Sequence, residues 1–87
     1  MVEYRVVLSR SARKELERFP DQWVDRIVRH LEALGCSPRP VGSLKLKGAP
    51  QWRIRVGDYR IIYAIDDAAQ VIDVAYIRHR KDVYRDL

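Results

Sequence analysis

The chain is poor in the residues that staple or metallate small proteins. Its 87 residues include one cysteine, Cys36, and two histidines, His30 and His79. A single cysteine excludes an intrachain disulfide, and so few soft ligands argue against a structural zinc site. No apolar run approaches the roughly 18 residues of a membrane-spanning helix, and no leader-like segment opens the chain. A cytoplasmic, reducing location with no membrane partner is therefore expected. Repeats and low-complexity tracts are missing. So are paired carboxylates, a nucleotide-binding glycine loop and a Ser-His-Asp order. No metal and no cofactor is expected.

What is present is an ordinary globular composition, 47% hydrophobic and 33% charged, which argues against intrinsic disorder. The length predicts a single domain over residues 1–87, with a small stability margin. The net charge is +5, which points to an anionic partner, nucleic acid first. That charge is unevenly placed. Residues 44–60 carry Lys45, Lys47, Arg53, Arg55 and Arg60 against Asp58 alone. Residues 61–77 carry only Asp66, Asp67 and Asp73, and residues 78–85 set Arg78, Arg80, Lys81 and Arg85 against Asp82. Two basic blocks flank an acidic one, and they form one positive site if they meet in space.

Hydrophobic periodicity gives the elements. Residues 2–8 alternate Val2, Tyr4, Val6 and Leu8 against Glu3, Arg5 and Val7, a half-buried strand. A helix follows with Ala12, Leu16 and Phe19 on one stripe, capped by Ser9 or Ser11 and broken at Pro20. A second helix is expected from Asp21 as cap to Gly35 as stop, with Trp23, Val24, Ile27, Val28, Leu31 and Leu34 on its apolar face. The two helices should form an antiparallel hairpin. Residues 36–43 read as loop, 44–47 as a short strand or an extended edge, and the tail "RHRKDVYRDL" as room for a short helical turn.

The stretch "WRIRVGDYRIIY", residues 52–63, reads as a hairpin with Gly57-Asp58 as its loop. That register puts Val56 opposite Tyr59, Ile54 opposite Ile61, Arg53 opposite Ile62 and Arg55 opposite Arg60. A second hairpin with Asp67-Ala68 as its loop would set Tyr63 against Ile72, Ile61 against Val74 and Tyr59 against Tyr76. One face, with Trp52, Ile54 and these partners, is core. The other carries Arg53, Arg55, Arg60, Ile62, Asp73 and Ala75. Strict alternation would aim Arg78 at the core, unless a bulge near the strand end turns it out. The predicted fold class is α+β: a small twisted, mainly antiparallel sheet packed on one face by an N-terminal helix hairpin, in β-α-α-β-β-β order.

Like charges opposite each other destabilise a sheet, so Arg55 and Arg60 need a reason. Arginine presents a planar, permanent cation that matches phosphate oxygens, and a bound polyanion would turn their repulsion into shared attraction. The alternative is that each arginine is solvated and leans on a carboxylate such as Asp58 or Asp73. Tyr84 can fold back over the open face to stack on a base or serve as acid or base, or it can simply plug the C-terminus. His79, between two arginines, is either an acid–base group or an uninvolved surface residue.

"WRIRVGDYRIIYAID" followed by "VIDVAYIRHRKDVYR" resembles the RelE/ParE superfamily of toxins, on the side of the RelE-type mRNA interferases, and the likeness runs over nearly the whole chain. The resemblance implies a RelE-like fold and cleavage of mRNA in the ribosomal A site without a metal. It assigns catalysis to Arg55, Arg60, Arg78 and Tyr84. Arg53, Lys45, Lys47, His79, Arg80 and Lys81 become RNA- and phosphate-binding residues. It also implies a cognate antitoxin as partner, with operator DNA contacted only through that complex. One departure stands out. The family's two strand lysines are Arg53 and Arg55 here, and arginine, with a pKa above about 12, is a poor proton acceptor. Three functions follow for testing: a ribosome-dependent endoribonuclease, a ParE-type DNA gyrase inhibitor, and a catalytically weak module that binds antitoxin and DNA.

Overall fold

The structure is a computed structural model and describes residues 3–79. Arg80, Lys81, Tyr84 and the expected helical turn of the tail lie outside the described residues. Strand β1 (Arg5–Leu8) leads into helices α1 (Arg10–Glu17) and α2 (Asp21–Cys36). Strands β2 (Leu44–Lys45), β3 (Trp52–Val56), β4 (Tyr59–Asp66) and β5 (Val71–His79) follow. They form one sheet in the order β1-β5-β4-β3-β2. Only β1 with β5 is parallel; the other neighbours are antiparallel. The α+β architecture is the one expected, with a five-stranded sheet once the short β2 is counted. No described helix is long and apolar enough to cross a membrane.

The core lies between the helices and one face of the sheet. Ala12, Ile27, Leu31 and Leu34 from the helices meet Ile54, Val56, Ile61, Tyr63, Ile72, Val74 and Ile77 from the strands, and all are buried. Burying a side chain of this kind is worth about 1.5–3 kcal/mol, so this face supplies most of the fold's stability. Ser9 is the cap of α1. Its Oγ accepts from the Ala12 N–H at 3.0 Å and donates to the Ala75 carbonyl at 2.7 Å, which ties the helix start to β5.

Two helix-end expectations are corrected. Pro20, not Asp21, occupies the cap position of α2, and Asp21 is the first helical residue. There its carboxylate opposes the positive end of the helix dipole. Gly35 does not stop α2 but lies within its last turn, buried. A Cβ there would stand 2.9 Å from the Tyr4 carbonyl oxygen, so glycine permits a close approach of chains. The Gly35 carbonyl accepts from the Tyr4 N–H at 2.7 Å, across that contact.

The first hairpin has the expected register, Arg55 opposite Arg60 included. Gly57 takes φ +60°, and a Cβ on it would fall 2.5 Å from the Trp23 ring, so the turn needs glycine twice over. The second hairpin differs. Its last pair is Asp66 with Val71, which leaves residues 67–70 as the loop. Asp66 Oδ1 accepts from the Ala69 N–H at 2.9 Å and Gln70 sits at φ +58°. Toward the other end of the ladder, Ile62 pairs with Tyr76 but Tyr63 pairs with Val74, so Ala75 is an extra residue. This bulge turns β5 over. Ile77 enters the core, while Tyr76, expected there, is 39% exposed. The opposing pairs become Tyr63 with Val74, Ile61 with Ile77 and Tyr59 with His79, replacing those expected.

Candidate functional site

The bulge has a chemical consequence. Beyond it, Arg78 comes opposite Arg60, which is opposite Arg55. Three arginines therefore stand in one row across β3, β4 and β5, on the face away from the helices. The next row is Arg53, Ile62 and Tyr76. Arg55 is exposed, Arg53 half-buried and Arg60 only 6% exposed. Like charges at facing positions disfavour a sheet where they are not offset, and for Arg78 a carboxylate is at hand.

Arg78 is held from two sides. Its Nε donates to Glu15 Oε2 at 3.2 Å, and its guanidinium lies over the Tyr76 ring, 4.5 Å from the centroid. The second oxygen of the same carboxylate, Glu15 Oε1, accepts from the Ile77 N–H at 3.2 Å. Glu15 and Tyr76 were not foreseen from sequence. Glu15 was legible in principle: it falls at i+3 in the stripe Ala12, Glu15, Leu16, Phe19, where a carboxylate facing the sheet needs a cationic or N–H partner. Tyr76 depended on the bulge, which alternation alone does not reveal.

The remaining expected residues divide. Arg53 adjoins the row. Lys45 pairs with Trp52, so it takes a register position of the helix-packed face at the sheet margin, and Lys47 lies beyond the strand; both are exposed. His79 pairs with Tyr59, and the two rings meet edge-on at 5.4 Å. Tyr59 in turn packs on Phe19 at 4.4 Å and Trp23 at 5.0 Å. His79 thus sits with the aromatic cluster under the helices, across the sheet from the arginine row. The two basic blocks meet through their arginines and not through Lys45 or His79. Among the described residues no group of three His, Cys, Asp or Glu side chains is placed to hold a metal ion.

Elsewhere, a clasp steadies the loop after α2. Arg39 pairs with Asp67 at 2.9 Å and lies 5.5 Å from the Trp52 ring centroid, and the Tyr4 hydroxyl donates to Asp67 at 2.6 Å. The Arg39 hydrogen bond, helped by Tyr4, holds the Asp67 carboxyl below its usual range. The Tyr63 hydroxyl donates to the Pro38 carbonyl at 2.7 Å, and burial pushes that phenol's ionisation upward.

Comparison with known proteins finds relatives of the chain in sequence and in fold. A family model described as the ParE toxin of type II toxin–antitoxin systems, parDE, matches residues 6–84. Two Mycobacterium tuberculosis proteins, Toxin RelG and Toxin RelE, are 31% and 30% identical over 84 residues. The matches cover 94% of this chain in both cases, and 97% and 87% of those proteins. The fold is similar to the RelBE2 toxin–antitoxin complex of Mycobacterium tuberculosis, with a TM-score of 0.79 and 30% identity over 91% of this chain and 100% of that one. It is also similar to the archaeal RelE–RelB complex of Pyrococcus horikoshii, with a TM-score of 0.81 and 28% identity over 90% and 96% of the two chains.

Proposed function

We propose a function from one premise: the chain belongs to the RelE/ParE superfamily of toxins of type II toxin–antitoxin systems. We infer that it is a ribosome-dependent endoribonuclease that cuts mRNA in the A site. The observation that carries this reading is the row Arg55, Arg60, Arg78 across three strands. Cations side by side on one row suit a phosphate that gains negative charge as it reacts.

The reaction needs three things: an in-line attack, a stabilised phosphorane-like charge and a protonated leaving oxygen. The RNA 2′-oxygen forms a bond to the adjacent phosphorus while the bond from phosphorus to the 5′-oxygen breaks. A cyclic phosphate and a 5′-hydroxyl result, and the proton lost from the 2′-hydroxyl is balanced by one gained at the 5′-oxygen. Arg60, central and buried, neutralises the phosphate, with Arg53 from the neighbouring row. Arg55 stabilises the attacking oxygen and Arg78 the leaving one. None of these permanently charged groups is a good proton acceptor at neutral pH. Of the two candidate bases, Tyr84 lies outside the described residues, and His79 pairs with Tyr59 on the face away from the row.

A cognate antitoxin is the proposed partner, supported by similar folds solved as toxin–antitoxin complexes. Operator DNA would be reached only through that complex, and substrate and ribosome place the toxin in the cytoplasm. The deciding experiment is to sequence the 5′ ends of cellular mRNA after induction. Cuts within codons, in frame with translation, are expected, and co-expression of the antitoxin should restore growth. A transcriptome without such cuts would overturn the reading.

The match to a ParE family model favours gyrase inhibition as the second reading. A supercoiling assay separates the two: strong inhibition of gyrase with translation untouched would replace the ribonuclease by a gyrase poison.

A further inference from the structure

Helix α1 grips β5 at two points, the bulged residue Ala75 and Ile77 beyond it. Ser9 Oγ donates to the Ala75 carbonyl at 2.7 Å, and Glu15 Oε1 accepts from the Ile77 N–H at 3.2 Å. β1 pairs with β5 only as far as Leu8 with Val74. Beyond that point Glu15, not a strand, meets the Ile77 N–H. A neutral amide oxygen would suffice for that task. The charge of Glu15 is directed elsewhere, to Arg78 Nε at 3.2 Å, in a half-buried pair with side-chain exposures of 24% and 27%. The guanidinium carbon also lies over the Tyr76 ring, 4.5 Å from its centroid.

We propose that Glu15 is a positioning residue of Arg78: it orients the guanidinium toward the reacting phosphate while never touching substrate itself. The proposal rests on the ribonuclease reading. Arginine carries about 2 kcal/mol of rotamer entropy, and an arginine ordered in advance meets a developing charge without reorganising at the moment of reaction. Glu15 engages Nε, the guanidinium nitrogen nearest the chain, and the ring takes one face. The fork formed by the two Nη groups is the part that suits phosphate oxygens in bidentate fashion.

The test is Glu15→Gln in the full chain, which keeps an acceptor for the Ile77 N–H and removes the charge. In single-turnover mRNA cleavage on programmed ribosomes, the saturating rate should fall about 10–100-fold, the scale of outer-sphere partners that orient a functional group. The half-saturating ribosome concentration should stay within about two-fold, since the loss belongs to the transition state. Glu15→Gln in an Arg78→Ala background should cost nothing further. A wild-type saturating rate for Glu15→Gln would overturn the proposal. A second readout needs no activity: the Arg78 Nε–H resonance, assigned by its loss in Arg78→Ala, should be protected from solvent exchange in the wild-type protein and lose that protection in Glu15→Gln. Exchange at the free-arginine rate in the wild-type chain would overturn it even where the variant fails to fold. A wild-type protein that leaves ribosome-bound mRNA intact defeats the ribonuclease reading and the cleavage part of this proposal; the Nε–H signal then decides the ordering part by itself.

Discussion

The two faces of strands β3, β4 and β5 are built from alternating residues of the same short segments, yet they follow opposite rules. On the helix side, Ile54, Val56, Ile61, Tyr63, Val74 and Ile77 are each no more than 6% exposed. On the other side Arg53, Arg55, Arg60 and Arg78 crowd positive charge where cross-strand pairing disfavours it. The first face explains why the chain folds. The second is the face on which the proposed phosphate site rests. The contrast teaches that core and cationic residues are segregated here by strand parity, and that a single bulged residue, Ala75, moves Arg78 from one side to the other.

The contrast can be broken most forcefully from its core side. Ile61 is fully buried, and Ile61→Ala should cost about 2–5 kcal/mol by lost transfer and cavity. Urea unfolding would read this as a lower midpoint. A loss well under 1 kcal/mol would mean that this face is not the source of stability. Across the sheet, Arg55→Ala should do the opposite. Removing one exposed charge from the row should raise the unfolding free energy slightly, by about 0.2–1 kcal/mol in low salt, and by less in high salt, where the repulsion is screened. A drop in stability would mean that Arg55 leans on a carboxylate and the row is not under strain.

The smallest effect lies outside both faces, in the Arg39–Asp67–Tyr4 clasp. Asp67 has a folded-state pKa below its unfolded one. Its contribution is therefore fully present above about pH 4 and is lost as the pH falls through the lowered folded value. Melting curves of the wild-type chain and Arg39→Gln should differ at neutral pH and converge in acid. A gap that persists below about pH 2 would detach the clasp from the Asp67 carboxylate.

Much of this was legible in the sequence, and the parts that were not share a cause. Strict alternation and the Gly57-Asp58 turn sufficed to set Arg55 opposite Arg60, because a two-residue loop fixes register. The second hairpin was misread because its loop spans residues 67–70 and its ladder carries an extra residue, and pattern alone does not count residues across a bulge. For that reason Tyr76 leaves the core face that alternation gives it, and Arg78 turns out to the other side. Gly35 read as a helix stop, although its role is to let the Tyr4 backbone come close, a tertiary demand with no local signature. The Glu15–Arg78 pair joins residues 63 positions apart, and periodicity within one helix shows only that a carboxylate sits in the wrong stripe.

The central claim is that the arginine row exists to act on a phosphate. Single-turnover cleavage of mRNA on programmed ribosomes by the Arg60→Ala/Arg78→Ala double variant tests it most directly, with circular dichroism to verify that the variant is folded. The account predicts a loss of at least about 10²–10³-fold relative to the wild-type chain, the scale of removing a transition-state donor. Cleavage by the folded double variant at the wild-type rate would contradict it.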